Sequence, residues 1–279
     1  MLISQESFPR HKGAPKISTI RDFLPPILVR GLLRLGLGGN RYRHGYSSWA
    51  DAKSRCSGYD AQQILDTVVD SSRAVRDGKY PYERDGVLFN KIEYSWPLIA
   101  AILGTPREGN ILRVLDWGGS LGSTYRQNRE LLSAAGVAVE WTVIEQAHFV
   151  EIGLKEFQNS ELKFVHDPIQ LDGQQFDIVL FASSICYFDE PKVAIEQAVL
   201  MNPTRIIFDR TPETTKGSDL IGVQRVGKGI FQASFPVHSF ARGSLGNMIG
   251  DKYSKICEWE SDLQPDPQTV AKGYVFQRN

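Results

Sequence analysis

The segment Val114-Leu-Asp-Trp-Gly-Gly-Ser-Leu-Gly-Ser-Thr-Tyr125 constrains the fold more than any other part of the chain. An apolar run ends on an acid, the glycines Gly118, Gly119 and Gly122 follow, and helical periodicity then begins. This is the pattern of a strand turning tightly into a helix around a small ligand. Glycine admits positive φ and lets a ligand come close to the backbone, while a new helix presents unpaired N–H groups at its mouth.

Further strands and helices follow at regular intervals. Val139 to Glu145, Leu162 to His166, Phe176 to Ala182 and Arg205 to Asp209 read as strands, and Leu121 to Ala135, Ala147 to Gln158 and Pro191 to Met201 as the helices between them. Such alternation implies an α/β fold with a mostly parallel, Rossmann-like sheet whose ligands collect at the carboxyl ends of the strands. Tyr253 to Ser261 and Lys272 to Gln277 read as a closing antiparallel pair, joined through Pro265-Asp-Pro267, that ends the sheet with a reversed strand. Asp116 then narrows the ligand. A carboxylate two residues before Gly118 repels a pyrophosphate and attracts a cation, which favours the sulfonium nucleoside S-adenosylmethionine over NAD. Glu145, closing the second strand, stands where an acid accepts hydrogen bonds from ribose hydroxyls.

From Ile111 to Asn279 the chain resembles the class I S-adenosylmethionine-dependent methyltransferases. Within that group it is similar to a family of bacterial methyltransferases associated with cell-surface polysaccharide and lipopolysaccharide biosynthesis. Tyr46-Ser-Ser-Trp49, Tyr82-Glu-Arg-Asp85, Asp116-Trp-Gly-Gly-Ser-Leu-Gly122, Ser183-Ser-Ile-Cys-Tyr187 and Asp209-Arg-Thr-Pro212 carry the likeness. The general pattern has three alternating glycines after the acid, and Ser120 replaces the middle one. The resemblance implies a cofactor loop of Asp116, Trp117, Gly118, Gly119, Ser120 and Gly122, with Glu145, Asp167 and Ser183 beside it, and a sugar or glycan precursor, or another small molecule, as acceptor.

The 279 residues hold 32 basic and 32 acidic side chains, so no global positive field exists to hold a nucleic acid. Cys56, Cys186 and Cys257 match neither a zinc pattern nor a disulfide framework, which makes a reducing cytoplasm the default compartment. Residues 20–37 are amphipathic but interrupted by Arg21, Arg30 and Arg34, too short and charged to span a bilayer of about 20 apolar residues. Two readings stand for this stretch: a peripheral helix on the inner membrane leaflet, or a helix packed on its own domain or a second subunit. No signal-peptide pattern precedes it. The organisation expected is a tail over 1–41, a helical cap over 42–105 and the nucleoside-binding domain over 106–279, with cap helices at Tyr59 to Asp77 and Tyr94 to Leu103.

Several residues carry two readings. Arg84 either grips the ligand's amino-acid carboxylate or pairs with Glu83 or Asp85. Asp167 either contacts the adenine or makes a turn with Pro168. Tyr187 either orients the acceptor or packs, and Cys186 reads as a small buried apolar residue. Asp209-Arg-Thr-Pro212 and Gln224 to His238 are the candidate acceptor-binding segments, with Asp209 and Arg210 alternatively an internal ion pair. His238 has the pKa of a general base at neutral pH, or else caps or stacks in a lid. The mechanism expected is in-line methyl transfer to an oxygen, driven by alignment and desolvation, with His238, Tyr187 and Asp209 as catalytic candidates and no metal required. Two other classes compete: a nucleoside-binding protein without transfer activity, and an NAD-dependent oxidoreductase.

Overall fold

The computed structural model describes residues 41–56, 62–225, 233–261, 265–266 and 268–279. The amphipathic stretch 20–37 lies outside them. The described chain enters through β1 (Arg41–His44), α1 (Trp49–Lys53), α2 (Gln62–Arg76), the hairpin β2 (Tyr82–Arg84) and β3 (Val87–Phe89), and α3 (Trp96–Leu103). It then alternates through β4 (Ile111–Trp117), α4 (Ser123–Ala134), β5 (Ala138–Ile144), α5 (Ala147–Ile152), β6 (Leu162–Val165), β7 (Ile178–Ala182), α6 (Pro191–Leu200) and β8 (Arg205–Thr214). It closes with β9 (Leu220–Arg225), β10 (Ser234–Ser239), α7 (Ser244–Ile249), β11 (Tyr253–Glu260) and β12 (Thr269–Arg278).

Seven strands form the central sheet in the order β11-β12-β8-β7-β4-β5-β6. The strands from β4 to β8 pair in parallel; β12 runs antiparallel between β8 and the edge strand β11. This is the α/β Rossmann-like arrangement, with the reversed strand, that the sequence implies. Ile178, Val179, Leu180 and Phe181 are all fully buried, so β7 has no solvent face, the signature of a sheet covered on both sides. Ile178 and Leu180 pack with Leu121, Tyr125 and Leu132 of the α4 side. Val179 and Phe181 point the other way, into a cluster with Ala194, Ile195 and Ala198 of α6. On that face Trp117, Phe181 and Phe208 stack in sequence at 5.6 and 5.2 Å between ring centroids.

Three features lay beyond the periodicity of the chain. β8 runs to Thr214, not Asp209, because β12 pairs with it from Arg205 to Thr214; residues 209–212 are therefore strand and not loop. β9 and β10 form a second sheet with β1, antiparallel throughout, which turns much of the expected acceptor segment into a hairpin held by residues 41–44. The expected helical cap also contains the β2–β3 hairpin, pairing Tyr82 with Phe89. Among the described residues, no helix is long and apolar enough to cross a membrane.

Candidate active site

The strand order reverses between β4 and β7, and outside the carboxyl ends of these two strands lies the crevice position at which ligands of such sheets collect. The glycine loop forms its floor. Gly118 takes φ +77° and donates its N–H to the Ile144 carbonyl at 2.8 Å, and a Cβ on it would lie 2.5 Å from Ser184 Cβ. A Cβ on Gly119 would lie 2.6 Å from the Asp116 carboxylate. Gly122, also left-handed, starts α4 without a side-chain cap, so the orphan N–H groups of the first turn face the loop. Glu145 ties the loop to β5: its carboxylate accepts from the N–H of Ser120 at 3.1 Å and from that of Gln146 at 2.9 Å. Burial pushes this carboxyl above its ordinary value, against the pull of the two N–H groups.

Asp116 is fully buried beneath Gly119, where the sequence suggests direct contact with the ligand. One oxygen accepts from the Trp141 indole N–H at 3.1 Å, and Oδ1 has no partner among the described residues. Burial pushes the carboxyl up to about 7, although Trp141 and the nearby Arg210 pull it down. Trp117 contributes only backbone to the loop. Its side chain stacks on Phe181, and its carbonyl accepts the Ser184 hydroxyl.

Across the crevice, Ser183 donates its N–H to the Asp209 carbonyl at 2.8 Å. The Asp209 side chain is fully buried and pairs with Arg210 Nη1 at 2.6 Å, the internal ion pair that the sequence left as an alternative. Tyr187 donates its hydroxyl to Gln224 Oε1 at 2.5 Å and lies within hydrogen-bonding reach of Tyr42. Burial holds the Tyr187 hydroxyl well above its ordinary value, so it is a neutral donor. The β1–β9–β10 sheet thus brings Tyr42 and Gln224 to the end of β7.

The hairpin reaches the same place from the cap. Glu83 is buried and accepts from Ser123, from Ser72 at 3.2 Å and from Arg126 Nη2 at 3.3 Å, which fastens β2 to the first turn of α4. With Glu83 so engaged, Arg84 does not pair with it; its guanidinium lies over the Phe89 ring at 5.3 Å. Asp85, at the tip of the hairpin, is within electrostatic reach of Tyr42, Tyr82, Tyr187 and Arg210. Backbone strain converges here too. Among the described residues, the non-glycine positions with positive φ are Asp85, Ser120, Ser183 and Arg210, all around the crevice, and Asn202. Such conformations cost about 1 to 3 kcal/mol each and gather at functional sites.

Two sequence candidates sit differently. Asp167 caps the 3-10 turn Pro168–Leu171, accepting from Ile169 N at 2.9 Å in a capping box with Gln170. That is the turn reading. His238 stacks on Trp49 at 4.5 Å and on Phe240 at 5.9 Å, and the charged groups facing it are Asp219 and Asp189. The structure brings Tyr187 and Asp209 to the crevice and packs His238 among aromatics. Cys186 is buried, and its thiol is pushed up by that burial. Sequence reasoning gave Tyr42 no site role and Glu83 only that of a partner for Arg84, because a strand pairing and a buried ion pair with Arg126 give each of them its place. The run Tyr82-Glu-Arg-Asp85 was the available signal for Glu83.

The sequence matches no family model and no curated protein. Among solved structures the chain is similar to the [4+2]-cyclase SpnF, with 12% identity over 77% of this chain and 94% of that one and a TM-score of 0.48. It is similar to the N-methyltransferase NodS from Bradyrhizobium japonicum WM9, with 13% identity over 66% and 93% and a TM-score of 0.41. It is also similar to magnesium protoporphyrin IX methyltransferase ChlM from Synechocystis PCC 6803 with bound SAH, with 15% identity over 94% and 99% and a TM-score of 0.41. Likenesses this distant carry no weight beside the strand order, which stands on its own.

Proposed function

We propose that the protein is an S-adenosylmethionine-dependent methyltransferase acting on a small-molecule oxygen, with a sugar or glycan precursor as the acceptor class. The observation that carries this reading is the charge of the crevice: Asp85, Asp116 and Asp209 lie within electrostatic reach of Arg210, and Glu145 within reach of Asp116. A pyrophosphate would meet these acids at close range, whereas a sulfonium and an ammonium are attracted to them. Asp116 fits a cationic ligand in particular, because its buried carboxyl has an unpartnered oxygen and ionises only near pH 7. The bound nucleoside supplies an activated methyl group with a neutral thioether as leaving group.

In this reading the glycine loop, residues 118–123, lines the ligand, Glu145 accepts from the ribose hydroxyls, and Ser183 and the turn capped by Asp167 flank the nucleoside. Accepting from ribose requires Glu145 to release or share the Ser120 N–H it now holds. Tyr187, held neutral and donating its proton to Gln224, orients the acceptor by accepting from the acceptor's hydroxyl. Asp209 acts through Arg210. His238 serves as packing for the β10 wall. The hairpin and the β1–β9–β10 sheet close over the crevice and exclude water, which strengthens every charge interaction inside it.

Calorimetric titration with S-adenosylmethionine, S-adenosylhomocysteine and NAD tests the proposal. Micromolar binding of the first two with no response to NAD is the expected result. Preference for NAD would replace the reading with a dehydrogenase, and tight nucleoside binding without methyl transfer to any acceptor would leave only the binding-protein alternative.

A further inference from the structure

Arg210 is a buried cation with unused donors. Its side chain is only 10% exposed, Nη1 is bound to Asp209, and Nε has no partner among the described residues. A guanidinium has five N–H donors, and leaving them unpaired in a buried setting is costly. Two features fix its direction. The backbone takes φ +51° at Arg210, where the pairing of β8 with β12 shifts register, and the neighbouring Asp209 is itself immobilised by burial and by the Ser95 hydroxyl at 3.5 Å. So aimed, the guanidinium lies near Tyr82 of the hairpin and Asp116 at the end of β4.

A cation and an acid with unused hydrogen-bonding capacity thus lie within electrostatic reach of each other. Arg210 Nε lacks an acceptor and Asp116 Oδ1 lacks a donor. Adjacent sites of opposite charge suit a zwitterion, a group bearing an ammonium next to a carboxylate, better than they suit a simple anion. Arg84, which the sequence offered for the carboxylate, has its guanidinium on the Phe89 ring.

We propose that Arg210 is the residue that grips the α-carboxylate of the ligand's amino-acid tail, with the ammonium of the same tail directed to the Asp116 side. The inference rests on the S-adenosylmethionine reading above. It makes Arg210 a binding and positioning residue: by anchoring the tail it sets where the reactive methyl lies relative to Tyr187.

The test compares S-adenosylhomocysteine with 5′-methylthioadenosine, which keeps the nucleoside and thioether but lacks the amino-acid tail. Affinities for both are measured by calorimetry with the wild-type protein and with Arg210→Gln and Arg84→Gln. The wild type should prefer S-adenosylhomocysteine by on the order of 100-fold, as a charge-assisted, two-pronged contact gives. Arg210→Gln should bring the two within about threefold while 5′-methylthioadenosine binds as before, which also reports an intact crevice. If the single variant does not fold because Asp209 is left unpaired, Asp209→Asn/Arg210→Gln removes that charge and is read in the same way. An unchanged preference in the Arg210 variant, or its collapse in Arg84→Gln instead, overturns the proposal. Failure of the wild type to bind either nucleoside overturns the functional reading, and this one with it.

Discussion

Asp116→Asn should make the protein more stable, and more so as pH rises. The carboxyl is fully buried, and burial lifts it from 3.8 to about 7. A displacement of that size amounts to roughly 4 kcal/mol against the ionised form. The sign follows from proton counting. Between pH 4 and 7 the unfolded chain has released this proton while the folded chain still holds it, so raising the pH favours unfolding, and above pH 7 the whole penalty is present. An asparagine keeps an oxygen for the Trp141 indole and has nothing to ionise. Urea denaturation of both proteins at several pH values between 4 and 8 gives the difference in stability, and effects of all other titrating groups cancel in it. That difference should grow in favour of the variant by roughly 4 kcal/mol across the range. Curves that stay parallel would refute the claim that Asp116 is held protonated by burial. A linked measurement uses the ligand: a cation binding near Asp116 should expel its proton, so calorimetry in buffers of different ionisation enthalpy should show proton release near pH 7 for wild type and none for Asp116→Asn.

Glu83→Ala leaves Arg126 buried without its partner and should cost about 3 to 5 kcal/mol, read as a fall in denaturation midpoint; Glu83→Gln/Arg126→Met should recover much of it. Gly119→Ala drives a methyl to within 2.6 Å of a carboxylate already fixed by Trp141, so nucleoside affinity should fall at least tenfold, on the order of 1.4 kcal/mol, in calorimetry. Glu145→Ala removes the acceptor of the Ser120 N–H and should abolish measurable S-adenosylmethionine binding; retained affinity would count against the site. His238→Ala should lose about 1 kcal/mol of stacking with Trp49 while nucleoside affinity and turnover persist, and a loss of turnover with intact binding would restore His238 as a base.

Local patterns made the sheet legible. The run Ile178 to Ala182 is apolar at every position, as strands covered on both faces read, and Val139 to Glu145 is rich in β-branched and aromatic residues. The glycines after Asp116 located the ligand crevice, because a backbone that must turn at Gly118 against Ser184 tolerates no side chain there. What local pattern did not disclose was pairing between distant segments. β1 is too short and polar to announce itself as a strand until β9 supplies its hydrogen-bond partners, and β8 extends past Asp209 only because β12 lies alongside.

The candidate site divides along the same line. Its floor was set by the sequence itself: the acid, the glycines and Glu145 lie on adjacent strands, and covalent spacing with parallel pairing brings them together. Its walls were decided by tertiary structure. Which group each arginine meets depends on the whole fold: Glu83 turns to Arg126, Asp209 pairs with Arg210, and Arg84 lies over the Phe89 ring. Burial is likewise collective, since no property of Asp116 alone raises its carboxyl to about 7; the structure packed around it does so by excluding water, against the pull of the Trp141 indole N–H.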